Sequence, residues 1–401
     1  MIIRAKVVGT MGAPPIENGA VAVSGERILD VGKFSDISKK HSEKEIVDLG
    51  EQALLPGLIN AHCHLDYTCL RGRIPRQKSF TDWIRAINAE KAKLSPDDYV
   101  ASITEGFAEA RRFGTTTLAN LTAVPELVSR IQLPVRTWWF AELIDVRHPS
   151  RAKEIVDLAV ENLKPQEHWG LAPHAPFTAS RDLYARALQL APLLTTHLAE
   201  SREEMSMFRN GKGPLYDFLK EIGRDMRDCG DTTPVESLLR SSPSRTGIGN
   251  RPCLFVHLNE LAEGDFDLLR KHVREASIVH CPRSHSYFGH SPFQFEKLRA
   301  GGFNICLGTD SLASNDDLSL FAEMRAFQKE FPNVSPKEVF KMVTVNAARA
   351  LHHETALGEI RAGFVADLIA IPVTRSTSLF EEIIGSDGPA SWSMIGGRIS
   401  A

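Results

Sequence analysis

The residues of this 401-residue chain that could do chemistry recur at intervals that suit a metal centre. His62-Cys63-His64 closes the run from Leu55 to His64, and residues two apart on a strand project the same way. Both imidazoles can therefore take corners of one metal site. A third imidazole, His197, ends Leu193-Leu194-Thr195-Thr196-His197, and a fourth, His257, ends Leu254-Phe255-Val256-His257. Asp310 follows Phe303-Asn304-Ile305-Cys306-Leu307-Gly308-Thr309, and His174 follows Trp169-Gly170-Leu171-Ala172-Pro173. A His-x-His pair alone is a weak signal. Its weight comes from the other strand-end groups, because the C-terminal rim of a (β/α)8 barrel gathers side chains from several strands. Neutral imidazoles and one carboxylate leave a metal position open for water and lower the pKa of that water toward neutrality. Such a centre suits hydrolysis. A departing group must be protonated as it leaves, and Glu200, three residues beyond His197, is placed to carry the proton. Asp310 can both bind metal and accept the proton of the attacking water.

These residues need a frame. Apolar strand candidates lie near 54–64, 115–120, 135–141, 169–174, 193–197, 253–257, 277–281 and 303–309. Amphipathic stretches separate them, among them Pro96–Arg112, Arg151–Leu163 and Arg181–Leu190. Eight alternating βα units predict an α/β fold, a TIM-type (β/α)8 barrel over residues 54–356. No GxGxxG follows the first strand to support a doubly wound sheet. Residues 1–53 hold short strands at Ala20–Val23 and Ile28–Val31, and residues 357–401 hold strand signals at Gly358–Gly363 and Ala366–Ile371. The two ends are expected to pair into one small composite β-sandwich domain. Residues 209–251, irregular and placed after strand five, read equally as a lid over the site or as a passive insertion. Trp138-Trp139-Phe140 is expected to pack between barrel and helices, and Cys63 and Cys281 to be buried and turned from the metal. His41, His148, His272, His352 and His353 lack strand-end positions and are expected at the surface.

Composition narrows the classes of function. An apolar fraction of 43% with a formal charge of -3 excludes intrinsic disorder and supplies no basic field for nucleic acid or anionic lipid. No run approaches the roughly eighteen apolar residues of a membrane span. The N-terminus reads as a strand without a signal-peptide core, and six scattered cysteines form no CxxC pair, so a cytoplasmic location is expected. The expected partner is a small-molecule substrate, with a homodimer the default assembly.

The sequence resembles the amidohydrolase superfamily, in its mononuclear branch of aminohydrolases and chlorohydrolases acting on nitrogen heterocycles. The matching residues are His62-x-His64, His197-Leu198-Ala199-Glu200-Ser201, His257, His280-Cys281-Pro282-Arg283-Ser284 and Gly308-Thr309-Asp310-Ser311-Leu312-Ala313-Ser314-Asn315. The resemblance implies one metal, usually zinc and less often iron, held by His62, His64, His197 and Asp310. It implies Glu200 as proton shuttle and His257 as the group that holds the attacking water. Binuclear relatives carry a carboxylated lysine at the end of strand four; here Leu171-Ala172-Pro173-His174 offers none, and His174 is implied as a substrate contact. In similar enzymes the stretch after strand one caps a nucleoside-sized substrate, which would make Asp82 an acceptor for ribose hydroxyls and let Trp83 stack on the ligand or fill its own helix core. Many relatives have Asn where this chain has His285, so contacts there do not transfer, and Arg283 or His285 is left as a possible ligand-facing group. Leu70-Arg71-Gly72-Arg73, Phe80-x-Asp82-Trp83 and the Gly308–Asn315 stretch look most like aminodeoxyfutalosine deaminases. The implied activity is release of ammonia from a 6-aminopurine nucleoside such as aminodeoxyfutalosine. Deaminases of guanine, cytosine or pterin, and hydrolases of a cyclic amide or halogenated ring, share the same site residues and are the alternatives.

Overall fold

The structure, a computed structural model, describes residues 1–240, 251–273, 275–374 and 378–400. Eight parallel strands form the central sheet: β1 (Leu58–His64), β2 (Thr115–Thr122), β3 (Arg136–Leu143), β4 (Trp169–Pro173), β5 (Leu194–Leu198), β6 (Cys253–His257), β7 (Ala276–His280) and β8. The last runs from Asn304 to Leu307 and resumes at Asp310–Ser311. Its first part pairs with β7 and its second with β1, and this closes the barrel.

Period-two patterning decides what each strand faces. On β3, Trp138 and Phe140 join an interior cluster with Ile59, Val256 and Val279. Trp139, Ala141 and Leu143 turn outward, where the Trp139 indole meets Phe107. The expectation that all three aromatics lie between barrel and helices therefore holds for Trp139 alone, because neighbours on a strand cannot share a face. The helical layer is supported locally as well as by burial. Helix Pro96–Arg112 has Ser95 as N-cap, a capping box with Asp98, Pro96 in its first turn and Arg111 and Arg112 in its last, and it turns Ile103, Phe107 and Ala110 to the barrel.

A second, mixed sheet takes strands from both ends of the chain. Ile2–Val8, Ile16–Ser24, Arg27–Lys33, Ile46–Asp48 and Gln52–Pro56 join Leu368–Pro372, Trp392–Ile395 and Arg398–Ser400. The junction is the antiparallel pairing of Leu368–Pro372 with Gln52–Pro56. The sheet curls until Arg27 bridges to Val365, and Ile3, Val21, Leu54, Phe364, Leu368 and Met394 fill the space between.

Two strand expectations change. The run 54–64 is two strands: Gln52–Pro56 in the mixed sheet and Leu58–His64 in the barrel. The break is at Gly57, where a Cβ would fall 2.1 Å from Thr116 Oγ1. Gly358–Gly363 is not a strand; Gly358 and Gly363 take φ of 86° and 88°, and the segment turns. Among the described residues no helix is long and apolar enough to cross a membrane.

Candidate active site

The six strand-end residues converge at the C-terminal mouth of the barrel. The ligand atoms of His62, His64 and His197 lie within 4.8 Å of one another. His64 Nε2 is 3.3 Å from His197 Nε2, and Asp310 Oδ1 is 3.6 Å from His62 Nε2 and 3.9 Å from His64 Nε2. His62 is fully buried, and neither of its ring nitrogens has a hydrogen-bond partner. Leaving such a group unsatisfied costs about 1–3 kcal/mol. Three imidazoles and a carboxylate at these separations fit a tetrahedral metal, which would satisfy that ring. Burial and the neighbouring histidines push His197 well below its ordinary range, so it is neutral, as a ligand must be.

The surroundings orient these groups. His197 Nδ1 donates to the His174 carbonyl at 2.9 Å, which leaves Nε2 free to ligate. Ser284 Oγ donates to Asp310 Oδ2 at 2.6 Å, and the Ser311 amide donates to Oδ1 at 2.8 Å. Backbone strain collects here: Ala199, His257 and Asp310 take φ of 51°, 79° and 57°, conformations that cost on the order of 1–3 kcal/mol each. Gly308 lets β8 press against the ligand strand, since a Cβ there would sit 2.7 Å from the His62 carbonyl oxygen.

Glu200 leaves β5 immediately after the strained Ala199. It is buried, with Oε1 3.6 Å from His257 Nε2. Its amide donates to Glu204 at 2.7 Å and its carbonyl accepts from Asn259. Burial, reinforced by the charges of Asp310 and Glu204, raises its pKa well above the usual carboxylate range. Glu204, also buried, rises to about 8.

His64, His197, Glu200, His257 and Asp310 form the floor of a cavity of about 470 Å³. Aromatic and aliphatic side chains such as Tyr67, Phe80, Trp83, Phe177 and Phe218 make its wall, and Lys91, Arg147, His148 and Arg151 stand around it. Trp83 and His174 line the cavity. Asp82 does not: it is exposed on the first turn of helix Phe80–Lys91, because adjacent helical residues point about 100° apart and Trp83 takes the inward direction. His148, expected as a plain surface group, is exposed but lies at the cavity, and His353 is half-buried against Trp138. Arg283 pairs with Asp316 and Asp317, His285 is buried and bonds the Ser291 carbonyl, and neither lines the cavity. Cys63 and Cys281 are buried. Of segment 209–251, Phe218, Leu219 and Ile222 contribute to the wall, while 241–250 lies outside the described residues.

Sequence reasoning missed Glu142. It is the penultimate residue of β3, lines the cavity and faces His64. The available signal was a carboxylate near the end of an apolar run, Trp138-Trp139-Phe140-Ala141-Glu142-Leu143.

Residues 53–388 match the amidohydrolase family. The chain belongs to that family. Amidohydrolases are metal-dependent, and in this one His62, His64 and His197 offer the clustered ligand set. The chain is similar to a 5-methylthioadenosine/S-adenosylhomocysteine deaminase of Pyrococcus furiosus, with 26% identity over 376 residues covering 88% of this chain and 83% of that one. Its fold matches the crystal structure of Helicobacter pylori aminofutalosine deaminase in complex with methylthio-coformycin, with a TM-score of 0.87, 21% identity and full coverage of both chains. It also matches an adenosine deaminase from Xanthomonas campestris with bound zinc, with a TM-score of 0.77, 24% identity and coverage of 99% and 92%.

Proposed function

We propose that this amidohydrolase binds one zinc and hydrolytically deaminates a 6-aminopurine nucleoside. The observation that carries the reading is the pairing of a metal-ready His62, His64, His197 and Asp310 set with Glu200, a buried acid beside His257 at the same cavity floor. Zinc is favoured by the zinc-bound relative, and a single ion by the absence of a lysine where β4 ends in Ala172-Pro173.

When bound, the metal supplies a Lewis acid that makes water nucleophilic near neutral pH. Asp310 accepts a proton from the attacking water, and His257 orients that water over the floor. As the water oxygen bonds to the ring carbon, Glu200 gives its proton to the ring nitrogen. Glu200 then passes a proton from the new hydroxyl to the exocyclic nitrogen. The carbon–nitrogen bond breaks, ammonia departs and the carbonyl remains; the proton held by Asp310 returns to Glu200, which restores both groups. Water is the only co-reactant. His174 and Trp83 line the space for the heterocycle and sugar.

Aminodeoxyfutalosine is the first choice of substrate and S-adenosylhomocysteine the second. Both carry a carboxylate remote from the adenine, and Lys91 and Arg147 provide cations along the cavity, beside an Arg151 that is paired with Glu154. Methylthioadenosine has no such group. Ammonia release by the purified zinc enzyme, compared across these nucleosides and guanine, cytosine and pterins, tests the reading. Preference for a pyrimidine or pterin over every adenine nucleoside overturns the substrate class.

A further inference from the structure

Glu142 has no part in the mechanism above, yet it sits in one of the most constrained places in the molecule. Its side chain is 5% exposed and that of His64 is 8% exposed. Glu142 Oε1 lies 3.7 Å from His64 Nδ1, while Nε2 of the same ring faces His197 and Asp310. An imidazole that offers the Nε2 lone pair to a metal carries its proton on Nδ1, and here the carboxylate within reach of Nδ1 is that of Glu142. Asp66 is not an alternative partner: Glu142 and Asp310 are the carboxylates within 4.0 Å of the His64 ring nitrogens among the described residues, and Asp66 turns its Oδ2 to Thr122 Oγ1 and the Ala123 amide. The opposite side of the ring is also held: Tyr67 stacks on His64 with centroids 5.7 Å apart, and the Lys91 ammonium lies 4.7 Å from the Tyr67 ring centre.

We infer that Glu142 is the positioning residue for the ligand His64. It accepts the Nδ1 proton, fixes the tautomer and aims Nε2 at the metal. His64 thereby differs from His197, whose Nδ1 proton goes to a neutral carbonyl. A charged acceptor makes the imidazole a more basic ligand. The inference rests on the proposed metal site and not on the choice of substrate.

The test compares wild type, Glu142→Gln and Glu142→Leu by zinc affinity, using competition with a chromophoric chelator, and by steady-state kinetics at saturating zinc. Glu142→Gln keeps shape and an acceptor oxygen but loses the charge, so its zinc affinity falls by about 10-fold; Glu142→Leu loses both and falls by about 100-fold. At saturating zinc, KM for the substrate stays near the wild-type value. Unchanged zinc affinity in Glu142→Gln with a raised KM overturns the inference and makes Glu142 a substrate contact. Absence of zinc binding in wild type overturns the metal site itself, and is thereby distinguished from failure of the positioning role. Circular dichroism of Glu142→Gln confirms that the readout comes from folded protein.

Discussion

The floor and the wall of the catalytic cavity are built by different means. The floor is a set of ionisable groups at the ends of β1, β3, β5, β6 and β8, screened from water, with His197 and Asp310 held by hydrogen bonds and His257 and Asp310 on strained backbone. The wall comes from helix Phe80–Lys91, the turn after β3 and helix Pro214–Glu221, and it offers apolar surface with cations around the opening. Groups fixed by a closed sheet can be aligned within tenths of an ångström for proton transfer; groups on helices and turns can vary in shape with little cost to the barrel. Reaction type is thus a property of the floor, and choice of substrate a property of the wall.

The contrast can be broken experimentally. His62→Ala should abolish activity and remove bound metal, because a ligand is lost from a coordination sphere that is otherwise prearranged. Elemental analysis of unsupplemented protein should show about one equivalent in wild type. Two equivalents, or full metal in the variant, would contradict the single-ion site.

Glu200→Gln should keep its metal and lose roughly two to four orders of magnitude in kcat, the usual range for a positioned acid–base group. Near-normal turnover in this variant would remove Glu200 from the proton path.

Glu204 allows a test of the floor that does not depend on activity. Its pKa in the folded protein is about 8, against an ordinary value of 4.5, so between those limits the folded chain keeps a proton that the unfolded chain has released. This group therefore lowers stability as pH rises from 4.5 to 8, by up to about 1.4 kcal/mol per pH unit, with no further change above 8. Glu204→Gln should flatten that part of the curve. Urea denaturation of both proteins at pH 5, 6, 7 and 8 measures it, and parallel curves would show that Glu204 ionises normally.

Arg147, with no ion pair among the described residues, represents the wall. Arg147→Ala should raise KM about tenfold for nucleosides with a remote carboxylate, near the lower end for a charged hydrogen bond. It should leave kcat, and KM for a neutral nucleoside, almost unchanged. An equal effect on both substrates would assign Arg147 to the shape of the cavity instead.

The same division governs what could be read from residue order. His62, His64, His197, His257 and Asp310 were legible because a strand repeats every two residues and barrel strands end at one rim. Glu142 obeys the same rule but was hidden by the aromatic run before it, which reads as packing. Asp82 and Trp83 are adjacent letters that a helix turns in different directions, so one entered the cavity and the other faced solvent. Arg147 and His148 occupy a turn without periodicity, so no repeat in the sequence marks them as cavity residues. The end of the mixed sheet's fifth strand is marked by Pro56-Gly57, a turn dipeptide inside an apolar run that otherwise reads as one strand; the close approach of Thr116 shows why glycine stands there.

The pairing of Gln52–Pro56 with Leu368–Pro372 has a consequence for biosynthesis. The early strand leaves the ribosome long before its partner exists. At roughly 5–20 residues per second, its open edge waits on the order of tens of seconds while the whole barrel is translated. An unpaired apolar edge is a template for association with other chains during that interval. Slow translation therefore prolongs exposure of this strand, and the yield of soluble enzyme should depend on how quickly the second half of the message is read or on whether a chaperone covers residues 52–56 meanwhile.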